Sequence, residues 1–180
     1  VRDYALAVSG LLSRKMYGPG TKPYQPTGIW DVVGLSGGDT RNYVQDKGQN
    51  LYRRTVYHFW KRMAAPPNMV AFDAPSREYC AVSRERTNTP LQALITLNDP
   101  QFVEAARKLA ELAFIKTDGS DQAMIDFITD RSLSRALKDR ELEIVQSSKQ
   151  HLLEYYQAHA DGAKLLLAVG ESKVDESMDD

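Results

Sequence analysis

The chain holds one cysteine and three histidines in 180 residues, and those shortages exclude more chemistry than any motif suggests. Cys80 alone cannot close an intrachain disulfide, and without Cys-x-x-Cys there is no zinc knuckle, no thioredoxin-type pair and no Cys-x-x-Cys-His haem attachment. His58, His151 and His159 never fall at i, i+4, so no two histidines share a helical face as metal ligands do, and no metal site is expected. Gly-x-Ser-x-Gly, Gly-x-Gly-x-x-Gly and Gly-Lys-Ser/Thr are all missing, which removes the nucleophile elbow and the phosphate-cradling loops. The longest apolar run, 165–169, is far shorter than the ~20 residues that cross a bilayer, so no membrane insertion is expected. With 23 basic and 24 acidic residues the net charge is −1, and no global field draws the chain to nucleic acid.

What is present is an ordinary soluble composition, 42% hydrophobic and 26% charged, in a chain long enough for one domain. A mainly α fold is expected: about six helices in an irregular bundle, with a long Pro/Gly-rich irregular middle. The spacing of Tyr4, Val8, Leu11 and Leu12 predicts a helix over 2–13, with Gly10 a weak point or a close contact. Pro19, Pro23 and Pro26 make the next stretch a loop. Tyr43-Val44 and Leu51-Tyr52 could pair as a hairpin. Over 51–63, Tyr52, Val56, Phe59, Trp60 and Met63 share one ~100° arc, which favours a helix with His58 on its solvated face. The stretch 68–88 reads as irregular, with room for a helical turn after Ser76.

Stronger local signals follow. Thr89-Pro90-Leu91-Gln92 is a capping box with proline at the first helical position, and Asp99-Pro100 repeats the device. Helices are predicted over 90–97 and from 100, the second with Phe102, Ala106, Leu109 and Ala113 on its inner face and Glu104, Lys108 and Glu111 away from it. A further helix runs over 121–137. Asp139 is placed as cap of a long bundle helix over 140–159, packed through Leu142, Val145, Leu152, Leu153 and Tyr156. Gly162 is expected to end it before a closing helix at 165–169. Asp118, Ser120 and Asp121 could offer oxygens to calcium, but a helix N-cap accounts for the same residues.

For a site, the densest candidates are Arg84-Glu85-Arg86-Thr87-Asn88 before the capped helix, and Arg53, Trp60 and Arg62 upstream. Arginine suits bidentate carboxylate or phosphate contacts and aromatic stacking. The plainer role for these arginines is to bond backbone carbonyls of irregular chain. Arg84, Glu85, Arg86 and Asn88 are expected to fold back against the helix beginning at Pro90, near Arg53, Trp60 and Arg62. No carboxylate pair stands out as acid and base; Asp73 and Glu78 flank Arg77 as local ion pairs would.

The same residues carry a resemblance. Tyr52-Arg53-Arg54, Phe59-Trp60-Lys61-Arg62, Pro66-Pro67, Phe72-Asp73-Ala74-Pro75, Arg77-Glu78, Arg84 through Leu94 and Leu97-Asn98-Asp99-Pro100-Gln101-Phe102 resemble the planctomycete surface-domain family, a domain of unknown function. The likeness spans about residues 2–170. It implies the C-terminal part of an exported, extracytoplasmic protein, periplasmic or at the cell surface, often with a planctomycete-type cytochrome c domain upstream. Haem is then expected only in those upstream domains, and no cofactor here. Val1 is not an initiator methionine and 171–180 is acidic, so the sequence predicts a piece of a larger protein: one helical domain over 1–170 and an acidic tail over 171–180, disordered or truncated. The leading functional expectation is a non-catalytic binding or scaffolding module that meets other domains of its parent, a protein partner or a glycan. The alternative is a hydrolase on extracellular polymers with its site in the irregular middle.

Overall fold

The computed structural model describes residues 1–31, 42–61, 63–83 and 85–175. Seven helices dominate it: α1 (Arg2–Val8), α2 (Pro67–Ala71), α3 (Pro90–Asn98), α4 (Pro100–Thr117), α5 (Asp121–Leu133), α6 (Asp139–Ala158) and α7 (Ala160–Leu167). The protein is mainly α, as the periodicities predict. α4 is the hub, with α1, α3 and α5 packed against it.

The two proline-led starts form as their chemistry dictates. The Thr89 hydroxyl accepts from the Gln92 N–H while the Gln92 side chain accepts from the Thr89 N–H, and Pro90 occupies a position where an N–H has no partner to lose. Asp99 then ends α3 and caps α4, its carboxylate accepting from the Gln101 N–H at 2.9 Å. α4 closes at Asp118, whose φ of 51° is left-handed.

Several expected elements differ. The helix over 51–63 does not form: two short 3-10 turns, Gly48–Tyr52 and Thr55–Tyr57, flank extended backbone at Arg53 and Arg54. The backbone there bonds to the proline-rich segment instead. Ser13 N–H donates to Tyr52 O, Thr21 N–H to Tyr57 O at 2.7 Å, and Phe59 N–H to Thr21 O at 2.8 Å. Long-range partners outbid the i, i+4 ladder in a run of β-branched and aromatic residues with weak helix preference. The hairpin between 43–44 and 51–52 is likewise absent among the described residues, since Leu51 and Tyr52 lie in a 3-10 turn. Irregularity over 68–88 is broken by α2, and among the described residues no helical turn follows Ser76 before α3.

α1 stops at Val8, and Gly10, at φ 79°, brings the chain so close to α4 that a Cβ there would lie 3.3 Å from Leu112 Cδ1. Its buried face is Arg2, Leu6 and Ser9, whereas Tyr4 is exposed and donates from its hydroxyl to Ser132 O. α4 also corrects its expected faces: Glu104 and Glu111 are buried and Ala106 is exposed. α5 ends at Ser134 in left-handed geometry. α6 begins at Asp139 itself after Lys138, and Gly162 sits inside α7 rather than between helices. No residue of α6 is buried; Val145, Leu152 and Leu153 are exposed, so the amphipathic stripe is left largely uncovered, although Lys149 pairs with Asp121 at the start of α5.

Among the described residues the buried apolar side chains are Leu6, Trp30, Leu51, Phe102, Ala105 and Ala113 together with Pro23 and Pro66, still fewer than the buried polar and charged ones. Such an interior must be held by hydrogen bonds as well as by apolar contact. Arg2 shows how. From α1 it donates to Leu51 O at 2.6 Å, Arg53 O at 2.7 Å and Gln101 Oε1, tying the irregular middle to the start of α4. Burial pushes this guanidinium down to about 10, and Asp3 at 3.5 Å holds it charged at neutral pH.

One turn further along α4, buried Glu104 accepts on one oxygen from the Tyr52 hydroxyl at 2.8 Å and the Ser172 N–H at 2.7 Å. Arg107 donates to the carbonyl and hydroxyl of Ser172, and Lys108 to Lys173 O. Glu171 accepts from the Gly48 N–H. The chain over 170–173 is therefore a strap seated on α4. Residues 176–180 of the expected tail lie outside the described residues.

Candidate functional site

A cleft of about 660 Å³ opens where α1, the 54–60 segment, α2 and the start of α4 meet. Its walls combine apolar rings with guanidinium groups. Phe72 and Phe102 line it, their rings 6.0 Å apart, and half-buried Trp60 faces Arg77, whose Cζ lies 4.8 Å from the indole. Arg54 is half-exposed at the rim, its Nε 3.9 Å from Asp3 Oδ2.

Asp3 is the carboxylate among the described lining residues, and its chemistry is already committed. One oxygen accepts from the Thr55 N–H at 2.7 Å and from the Thr55 hydroxyl; the guanidinium groups of Arg2 and Arg54 lie beside it. Two outward guanidinium groups over an aromatic floor can hold an anion by paired hydrogen bonds and stacking.

The residues singled out from sequence go to different places. Trp60 is in the cleft. Arg53 is buried, its guanidinium donating to Tyr17 O at 2.6 Å and Pro19 O at 3.1 Å and lying 4.0 Å over the Tyr57 ring, so it fastens irregular chain. Glu85, Arg86 and Asn88 are exposed on the approach to α3. Arg62 and Arg84 lie outside the described residues. Thr87 closes the approach loop by donating from N–H and hydroxyl to Asp73.

Arg54, Arg77 and Asp3 are the cleft residues that sequence patterning passed over. The Arg53-Arg54 pair held half of the signal: in an extended segment neighbours point to opposite sides, so one enters the body and the other the cleft. His58 is the clearest reversal. It is buried, with Nδ1 2.7 Å from the Phe59 carbonyl, and desolvation lowers its pKa to about 4, so it is neutral rather than a solvated surface histidine.

The family model described as PSD1, Protein of unknown function (DUF1553), matches residues 1–148. The chain belongs to this family. No curated protein and no solved structure matches it. The PSD1 match takes in α1 to α5 and every lining residue of the Trp60 cleft, and it stops within α6.

Proposed function

We propose that this PSD1 chain is a non-catalytic binding module of an exported bacterial multidomain protein, acting outside the cytoplasm, and that its Trp60 cleft takes an acidic segment of a partner protein or neighbouring domain. The planctomycete setting, and a haem-bearing cytochrome c domain elsewhere in the parent protein, belong to the same proposal and rest on the sequence resemblance. The observation that carries the reading is the pairing of Trp60 with Arg77 beside half-exposed Arg54, in a cleft whose carboxylate is already occupied. A hydrolase would need a carboxylate there able to take and give a proton, and Asp3 is tied to Thr55 and two arginines.

The test is a titration of the chain with a peptide rich in Glu and Asp, followed by Trp60 fluorescence and repeated in rising salt. Binding should weaken with salt, and Arg54→Glu with Arg77→Glu should lower affinity by roughly a hundredfold, about 1.4 kcal/mol per tenfold step, while the melting temperature stays put. Equal affinity in the charge-reversed variant would end the assignment of the cleft.

A further inference from the structure

The chain between α2 and α3 is tied at its two ends by one threonine. The Thr87 N–H and hydroxyl donate to Asp73 Oδ2 at 3.2 and 2.6 Å, and Gln92 Nε2 donates to the same hydroxyl at 2.8 Å and to Ala71 O at 2.9 Å. The capping box of α3 is thereby joined to the end of α2, and the residues between 73 and 87 form an Ω-type loop with its ends held together.

Two residues of this stretch take left-handed backbone, for different reasons. Asp73, at φ 56°, makes the turn that ends α2, with the Ala74 N–H on Met69 O, and aspartate tolerates that geometry better than most residues. Arg77 has φ 66° where no helix ends, a place that glycine or asparagine would hold with less strain. Its side chain supplies the reason: the guanidinium lies over the Trp60 ring, and among the described residues it makes no hydrogen bond. Contact with a ring uses none of the N–H donors, so they stay available for an anion. The two outward cations of the cleft are therefore held differently. Arg54 sits beside Asp3, whereas Arg77 depends on the course of the loop that carries it.

We propose that Asp73 and Thr87 are positioning residues of the Trp60 cleft: their clasp sets the loop so that Arg77 stays over Trp60 with its donors free, and so sets the preference of the cleft for an acidic segment. This rests on the acidic-partner reading of the cleft and adds what holds one of its cations in place.

The experiment is a double-mutant cycle between Thr87 and Arg77 in the full chain, with two readouts. One is the ¹⁵N indole signal of Trp60 without ligand, told from that of Trp30 by its loss in Trp60→Phe. The other is affinity for the peptide rich in Glu and Asp. Thr87 is exposed, so Thr87→Val should fold, move the indole signal and weaken the peptide roughly tenfold. Asp73→Gly, which suits the left-handed backbone and removes the carboxylate, should do the same, and Thr87→Ser should restore both readouts. In an Arg77→Asn background, which fits φ 66°, adding Thr87→Val should change neither readout further. Equal effects of Thr87→Val with and without Arg77 would make the clasp a framework bond and overturn the proposal, as would a Thr87→Val chain with native signal and affinity. If the native chain does not bind the peptide, the reading of the cleft fails by itself, and the indole cycle still decides the clasp: a shift that requires Arg77 upholds it, and no shift, or one independent of Arg77, overturns it.

Discussion

The imidazole of His58 is buried, and desolvation, reinforced by the cations Arg2 and Arg77, disfavours its charged form and outweighs the Phe59 carbonyl at Nδ1, which favours it. Its folded pKa, about 4, lies below the unfolded value of 6.5. The unfolded chain then binds the proton more readily, so stability is fully present above the unfolded pKa and falls as pH drops from 6.5 toward 4. At ~1.36 kcal/mol per pH unit the whole window amounts to roughly 3 kcal/mol. Urea midpoints measured across that window should decline for the native chain and much less for His58→Gln; parallel profiles would show that His58 titrates normally. Neither His58 nor Arg2 was legible as a buried residue, because hydrophobic periodicity on one segment carries no trace of carbonyls supplied by another.

Elements with their own chemistry were readable. α3 and α4 appear within a residue of their expected starts because cap and proline, with a capping-box glutamine as well in α3, lie inside five positions of one another and need no distant partner. The 51–63 segment had a helical arc but no cap, and the proline-rich chain beside it claimed its backbone. The strap over 170–173 could not be read at all, since its anchors are side chains on a helix far upstream. Its tightest point is Gly170, with φ 93°, where a Cβ would overlap the Glu104 carboxylate. Gly170→Ala should therefore cost about 2 to 3 kcal/mol through left-handed strain and displacement of that carboxylate. Thermal unfolding gives the total. Amide exchange at Ser172 and Lys173 shows whether the strap lifted, and protection unchanged from the native chain would refute the seating.

Across the whole molecule, α6 and α7 form a side branch. The chain leaves the α4 body after α5, runs through two helices with no buried residue, and rejoins α4 at the strap. Leu152→Lys with Leu153→Lys should thus change folding free energy by no more than about 0.5 kcal/mol and reduce binding of a hydrophobic dye. A large loss of stability would mean that these leucines are packed. A mainly α molecule was evident from sequence, but the amphipathic stripe of α6 did not reveal that its apolar face stays uncovered. Both flanks of the body converge on one helix: α1 through Arg2 on Gln101, the strap through Glu104, Arg107 and Lys108. Tension applied between residue 1 and residue 175 would cross the molecule through little more than two turns of α4, loading those bonds in shear. α6 and α7, fastened to α5 through Lys149 and Asp121, would lie beside that load path, and the domain would act mechanically as a short, stiff link.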